Sequence, residues 1–150
     1  MYRILTLTGF AIVILFCGAL QAQAQFSVNA AAEDPVPGWQ RMDVEGRAVW
    51  INPTPALSSS DIQGAEPATD RIYGNFVKVV FTDSGARKMR ELTTAQMNKP
   101  IAIVLDGKVI SAPKVRSVIS NDGIITGKPP EGLSIEQVRR ILVSINQKLK

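Results

Sequence analysis

A chain of 150 residues sets a prior of one domain. With a net charge of +4, 45% hydrophobic and 20% charged residues, it is an ordinary globular mix, not a disordered tail, a collagen-like fibre or a multi-span membrane protein. Histidine is absent, which removes mechanisms built on an imidazole base or ligand, and a single cysteine excludes an internal disulfide.

Arg3 precedes a mostly apolar stretch from Ile4 to Leu20, and Ala22-Gln23-Ala24 follows it. A positive start, a short apolar run and small residues at Ala22 and Ala24 predict a signal peptide over 1–24, cleaved after Ala24. Retention of residues 4–20 as an inner-membrane anchor is the alternative, at the short limit for a span of about 20 residues. Cys17 does not read as a lipidation site, because Phe16 stands where that signal needs a small residue. The cleaved chain would have no cysteine and would rely on its core alone. Its ~126 residues suffice, since chains of that size bury about two-thirds of their unfolded surface. Its expected location is periplasmic or extracellular.

Residues 25–43 read as a linker. Ala30-Ala31-Ala32, Glu33-Asp34 and Pro35-Val36-Pro37-Gly38 offer no apolar period, and proline-rich composition makes a semi-extended spacer. The domain proper is expected over 44–150. Residues 25–75 carry three arginines against seven acids, net −4, while 76–150 carry thirteen bases against six acids, net +7. Such asymmetry suits either packing of one part on the other or a basic face for an acidic partner. Ordinary solvated surface is the simpler account, because most surface charges carry no specific task.

Arg47–Ile51 alternates as a short strand ended by Pro53 and Pro55. Ser58-Ser59-Ser60-Asp61 predicts a helix start with one or two turns before Pro67. Asn75 to Thr82 is a strand with Val77, Val79 and Phe81 on one face and Lys78 and Thr82 on the other. Asp83 or Ser84 can cap the next helix, whose Ala86, Met89, Leu92, Thr93 and Met97 recur at helical spacing. Ile101–Leu105 is apolar on both faces and reads as a covered central strand. Asp106-Gly107 suits a type I′ turn into Lys108–Ala112, and Pro113 ends that hairpin. Val115–Ile119 and Gly123–Thr126 read as two more short strands around Asn121-Asp122-Gly123. A last helix begins at Ser134, with a Ser134/Gln137 capping box and a stripe of Ile135, Val138, Leu142, Ile145 and Leu149. The expected fold is α+β: a largely antiparallel sheet with two main helices packed on one face, leaving an open face or edge strand for a partner.

Catalytic chemistry finds little support. Asp61, Glu66 and Asp70 are too few and too spread for a metal site. Asp106 and Asp122 sit in turns beside glycine, which already accounts for them. Ser58-Ser59-Ser60 has no base partner, and no glycine-rich phosphate loop is present. Phe76 and Phe81 lie on opposite faces of one strand, so the basic half is not a single-strand nucleic-acid platform. No enzyme activity, cofactor, metal or nucleic acid is expected.

From Val44 onward the chain resembles the head subdomain of the large periplasmic domain of SecD, the accessory membrane subunit of the Sec export machinery. The resemblance is carried, in order, by Ala56–Ile62, by Val77–Ala86 with Leu92-Thr93-Thr94, by Ala102–Pro113 and by Ile124–Gly127. Gly85, Thr93, Asp106, Gly107, Pro113 and Gly127 form its signature. They read as structural, since the glycines suit tight backbone positions and Asp106-Gly107 a turn. The resemblance implies a SecD head-like fold and contact with polypeptide in export, with the Sec translocon as a partner. The membrane helices that carry proton-coupled movement in SecD have no counterpart here, so energy coupling is not implied. The alternative is a docking domain of another envelope complex, bound through the last helix or through Arg87, Arg90, Arg139 and Arg140.

Overall fold

The computed structural model describes residues 25–146. The expected signal peptide, with Ala22 and Ala24, and the Leu149 end of the last helix lie outside them. Nine strands and two α-helices occur among the described residues, and all named strand pairs are antiparallel. The α+β class expected from the sequence holds, but the strands divide between two sheets.

β1 (Phe26–Ala32), β2 (Gln40–Val44), β3 (Arg47–Ile51), β4 (Leu57–Ser58), β7 (Ile101–Leu105) and β8 (Lys108–Ser111) form the larger sheet, ordered β2-β3-β1-β7-β8 with β4 also on β1. The sheet curls until its two ends, β2 and β8, touch. β5 (Ile62–Asp70), β6 (Gly74–Phe81) and β9 (Asp122–Thr126) form the smaller sheet, ordered β5-β6-β9.

Much of the expected linker is therefore sheet. β1 is a central strand, pairing with β7 from Phe26↔Leu105 to Ala30↔Ile101 and with β3 at Ala31↔Ile51. Phe26 and Val28 face one core and Ala31 the other. Alanine and asparagine give that alternation almost no hydropathy contrast, which hid it. Gln96 ties the strand in: its buried Nε2 donates to the carbonyls of Ala31, at 2.8 Å, and Pro100, at 2.9 Å. Only residues 33–39 connect β1 to β2 as a loop.

The turn after Ser58 is a short 3-10 turn, Ser59–Asp61, which passes straight into β5 rather than into an α-helix. Pro67 sits on that strand at the edge of its sheet, where a missing N–H is tolerated. Helix α1 (Asp83–Ala95) is capped by Thr82, one residue earlier than expected, whose Oγ1 accepts from Gly85 N at 3.0 Å. Ala86, Met89, Leu92 and Thr93 are buried as expected, while Met97 lies beyond the helix and is partly exposed. Asp106 and Gly107 both have positive φ, 51° and 77°, as a type I′ turn requires.

Val115–Ile119 is not a strand. Its backbone at Val115 is taken by the segment after α1: Asn98 N donates to Val115 O and Val115 N to Lys99 O, each at 2.9 Å. Helix α2 (Ile135–Asn146) starts at the expected box, with Gln137 N donating to Ser134 Oγ at 3.1 Å and Ser134 N to Gln137 Oε1 at 2.8 Å. Of the expected stripe, Ile145 is buried and Val138 and Leu142 pack partly on the core, but Ile135 is 82% exposed and Ile141, not expected there, is fully buried.

The main core lies between the two sheets and gathers both helices, with Val77, Val79 and Phe81 meeting Phe26, Ile101 and Ile103. A second, smaller core of Val44, Val49, Ile51, Ala102 and Ala112 fills the curl on the opposite face of the larger sheet.

Candidate functional site

The main core is not closed on every side. Where edge strand β8 of one sheet faces edge strand β9 of the other, a narrow apolar cleft of about 80 Å³ runs inward. Its floor is core: Phe26, Val28, Phe81 and Met89. Its mouth is formed by Pro113, Ile119 and the β9 edge at Ile124 and Thr126. Ile124 pairs with Lys78, so its side chain lies on the outer face of the smaller sheet and is 49% exposed, while Ile125 turns into the core. The cleft volume is well below the range of about 300–1,000 Å³ of ordinary ligand sites, so the cleft has room for side chains rather than for a small-molecule ligand.

β9 adds a backbone feature. Phe81 N donates to Asn121 O at 2.9 Å, so Phe81 and Asn121 are a hydrogen-bonded pair. Antiparallel bonding alternates along a ladder. Gly123 and Ile125 therefore bond β6, opposite Val79 and Val77. The N–H and C=O groups of Asp122, Ile124 and Thr126 point away from β6, along an edge that no further named strand covers among the described residues.

The mouth is held in place by buried polar contacts. Thr93 is fully buried; its hydroxyl donates to Met89 O at 2.7 Å and accepts from Ile119 N at 3.0 Å. That pair fixes the 113–121 loop to α1, and the Pro113 carbonyl is held by Ile101 N at 3.0 Å. Gly85 packs where a Cβ would overlap the Asp61 carbonyl, so the first turn of α1 lies directly on the 3-10 turn. Asp61 is itself buried, accepts from Ser58 N at 3.0 Å and pairs with Lys88 at 2.8 Å. A Cβ at Gly127 would likewise overlap the Gly132 carbonyl, closing β9 against the lead-in to α2.

Of the signature residues, Pro113 lines the cleft; the others hold the elements around it or lie apart, and none converge on a reacting centre. Gly85 and Thr93 anchor α1, Pro113 lies at the mouth, and Gly127 ends β9. Asp106 and Gly107 sit apart, in the β7–β8 turn. Asp106 is more than a turn residue, since it accepts from Arg140 Nε at 2.6 Å and from Gln25 N at 3.0 Å. The Arg140 hydrogen bond, aided by that from Gln25, holds its carboxyl below the ordinary carboxylate range. The sequence missed Ile124 as a mouth residue and Asp61 as the seat of α1. A strand isoleucine beside a glycine carries no functional signal on its own, and the Asp61 contact is to a distant backbone.

Among the described residues no three of His, Cys, Asp and Glu converge as metal ligands, and no helix is long and apolar enough to cross a membrane. Of the four arginines suggested for a basic face, Arg139 pairs with Glu136 at 2.6 Å and Arg140 with Asp106. Arg87 and Arg90 remain exposed on α1.

The SecDF P1 head subdomain family model matches residues 36–132. The chain belongs to that family. The match takes in the cleft mouth, α1 and the curled sheet except β1, and stops short of α2. Protein translocase subunit SecD of Rhodobacter capsulatus is 40% identical over 79 residues, 52% of this chain and 14% of that protein. SecD of Elusimicrobium minutum is 32% identical over 103 residues, 67% of this chain and 21% of that protein. A solved SecDF chain, described as a membrane component that enhances protein export, shares the fold with a TM-score of 0.61 at 23% identity, over 82% of this chain and 62% of that chain. SecDF in a super-membrane-facing form matches with the same score at 25% identity, over 82% of this chain and 18% of its own. The chain spans about a fifth or less of these two SecD relatives, so it shares the head and not their whole length. A protein-export-related head domain is therefore the family setting in which the cleft is to be understood.

Proposed function

We propose that this protein is an exported, non-enzymatic module that contacts extended polypeptide during protein export, in the periplasm and beside the Sec translocon. The observation that carries the reading is the apolar cleft opening against the unpaired edge of β9. An extended chain could add to that edge through Asp122, Ile124 and Thr126 by backbone hydrogen bonds, which need little sequence specificity. Its apolar side chains, every second residue, would enter the cleft past Ile119 and Pro113. Both features suit a client defined by being unfolded rather than by its sequence. The family setting supports the same reading.

The test is binding of a fluorescent, permanently unfolded polypeptide, followed by anisotropy. Weak binding in the micromolar range is expected, and Ile124→Pro should abolish it by removing the outward N–H of the β9 edge. No binding at high micromolar concentration, or equal binding by Ile124→Pro, contradicts the reading. Charge reversal at Arg87 and Arg90 should leave this binding unchanged; a loss there would favour docking through the basic face instead.

A further inference from the structure

The start of β1 meets the β7–β8 turn at a single carboxylate. Gln25 N donates to Asp106 Oδ1 at 3.0 Å, and Asp106 N donates back to Gln25 O at 2.8 Å. Arg140 Nε donates to the other oxygen, Oδ2, at 2.6 Å. Three segments far apart in sequence meet here, and each donor has its own oxygen. Gln25 is also the residue immediately after the expected cleavage site, Ala22-Gln23-Ala24.

We propose that processing after Ala24 makes Gln25 the amino terminus, and that Asp106 captures the new α-ammonium and shields the terminal glutamine from cyclisation. The inference rests on the processing reading of residues 1–24. Cleavage converts the Gln25 nitrogen from an amide N–H into an ammonium at a position where it already faces a carboxylate oxygen. Capture therefore needs no rearrangement of β1.

The chemistry at stake is specific. A terminal glutamine cyclises when its neutral α-amine attacks its own side-chain Cδ. The N–Cδ bond forms, the Cδ–Nε2 bond breaks, and a proton from the amine leaves with the side-chain nitrogen as ammonia. No oxidant or further reactant takes part. Only the unprotonated amine has the lone pair to attack. An α-amine ordinarily titrates at about 7.7–8.0, and an anion at hydrogen-bond distance holds it in the charged form. Arg140 acts in the opposite sense, but it is bound to the second oxygen and leaves Oδ1 to the terminus.

The test is the intact mass of the full chain after export to a bacterial periplasm, followed over time at neutral pH. The expected wild type begins at Gln25 and loses ammonia slowly. Asp106→Asn should lose it roughly three- to tenfold faster, the effect of releasing a partly solvated ion pair. Arg140→Gln, which removes the competing cation and keeps the acceptor, should be no faster than wild type. The wild type gives an independent readout: its α-amine, titrated with an acylating reagent, should have a pKa above about 8. A mature chain that begins elsewhere or keeps Met1 overturns the processing reading itself. A chain that begins at Gln25 yet cyclises equally fast with and without Asp106, or is fully cyclised when first isolated, overturns capture alone. Equal acceleration by both substitutions traces the effect to a loosened strand and also overturns capture.

Discussion

The larger sheet has two apolar faces, and they are finished differently. On one, the curl brings β2 against β8 and closes a small core in which Val49, Ala31 and Ala102 are fully buried. On the other, two helices and a second sheet build a larger core that stays open between β8 and β9. The first face spends its apolar surface entirely on stability. The second keeps some of it, at Pro113 and Ile119 of the mouth loop, available to a partner.

Substitutions should separate the faces. The largest effect is expected from Val49→Asp, which places an unpaired charge in the closed core. A loss of about 3–5 kcal/mol or failure to fold should appear in denaturant unfolding. Thr93→Val should cost about 1–3 kcal/mol, because Ile119 N loses its acceptor in a buried setting. It should also loosen the mouth loop, seen as faster amide exchange over residues 116–120. Ile124→Pro, by contrast, should cost about 1 kcal/mol or less, since the Ile124 N–H does not bond β6, while binding is lost.

The smallest expected effect concerns acid. The Asp106 carboxyl titrates below its ordinary value of 3.8 when folded. Its contribution is therefore present at neutral pH, complete above the unfolded value, and lost as pH falls through the folded one. Arg140→Gln should flatten that acid-side decline slightly and leave neutral-pH unfolding almost unchanged, because the pair is partly solvated and screened by salt. An unchanged acid slope would remove Arg140 as the cause.

Local chemistry made several elements legible in the sequence. Asp106-Gly107 fixed a turn through positive φ, Ser134/Gln137 fixed a helix start, and the Val77-Val79-Phe81 alternation fixed a buried strand face. The misses share one cause: long-range pairing decided what local pattern could not. β1 is a strand because β7 and β3 lie on either side of it, although its own residues show little contrast. Ser58–Asp61 reads as the start of a helix, yet the chain passes into β5, an edge strand where Pro67 does no harm. Val115–Ile119 alternates like a strand, but Asn98 and Lys99, just past α1, take the Val115 hydrogen bonds. In α2, Ile135 is apolar yet lies outside the packed face, and Ile141 takes a buried place instead. The order of motifs gave the family, whereas the cleft needed two sheet edges brought together from distant parts of the chain.

The most direct test places a photo-crosslinking amino acid at position 124, at the cleft mouth, and at position 135, on exposed surface of α2, during active export in cells. Adducts with many exporting chains at 124 and few at 135 are the expected result. Equal capture at both positions, or a single stoichiometric protein at 124, would contradict a cleft that receives unfolded polypeptide.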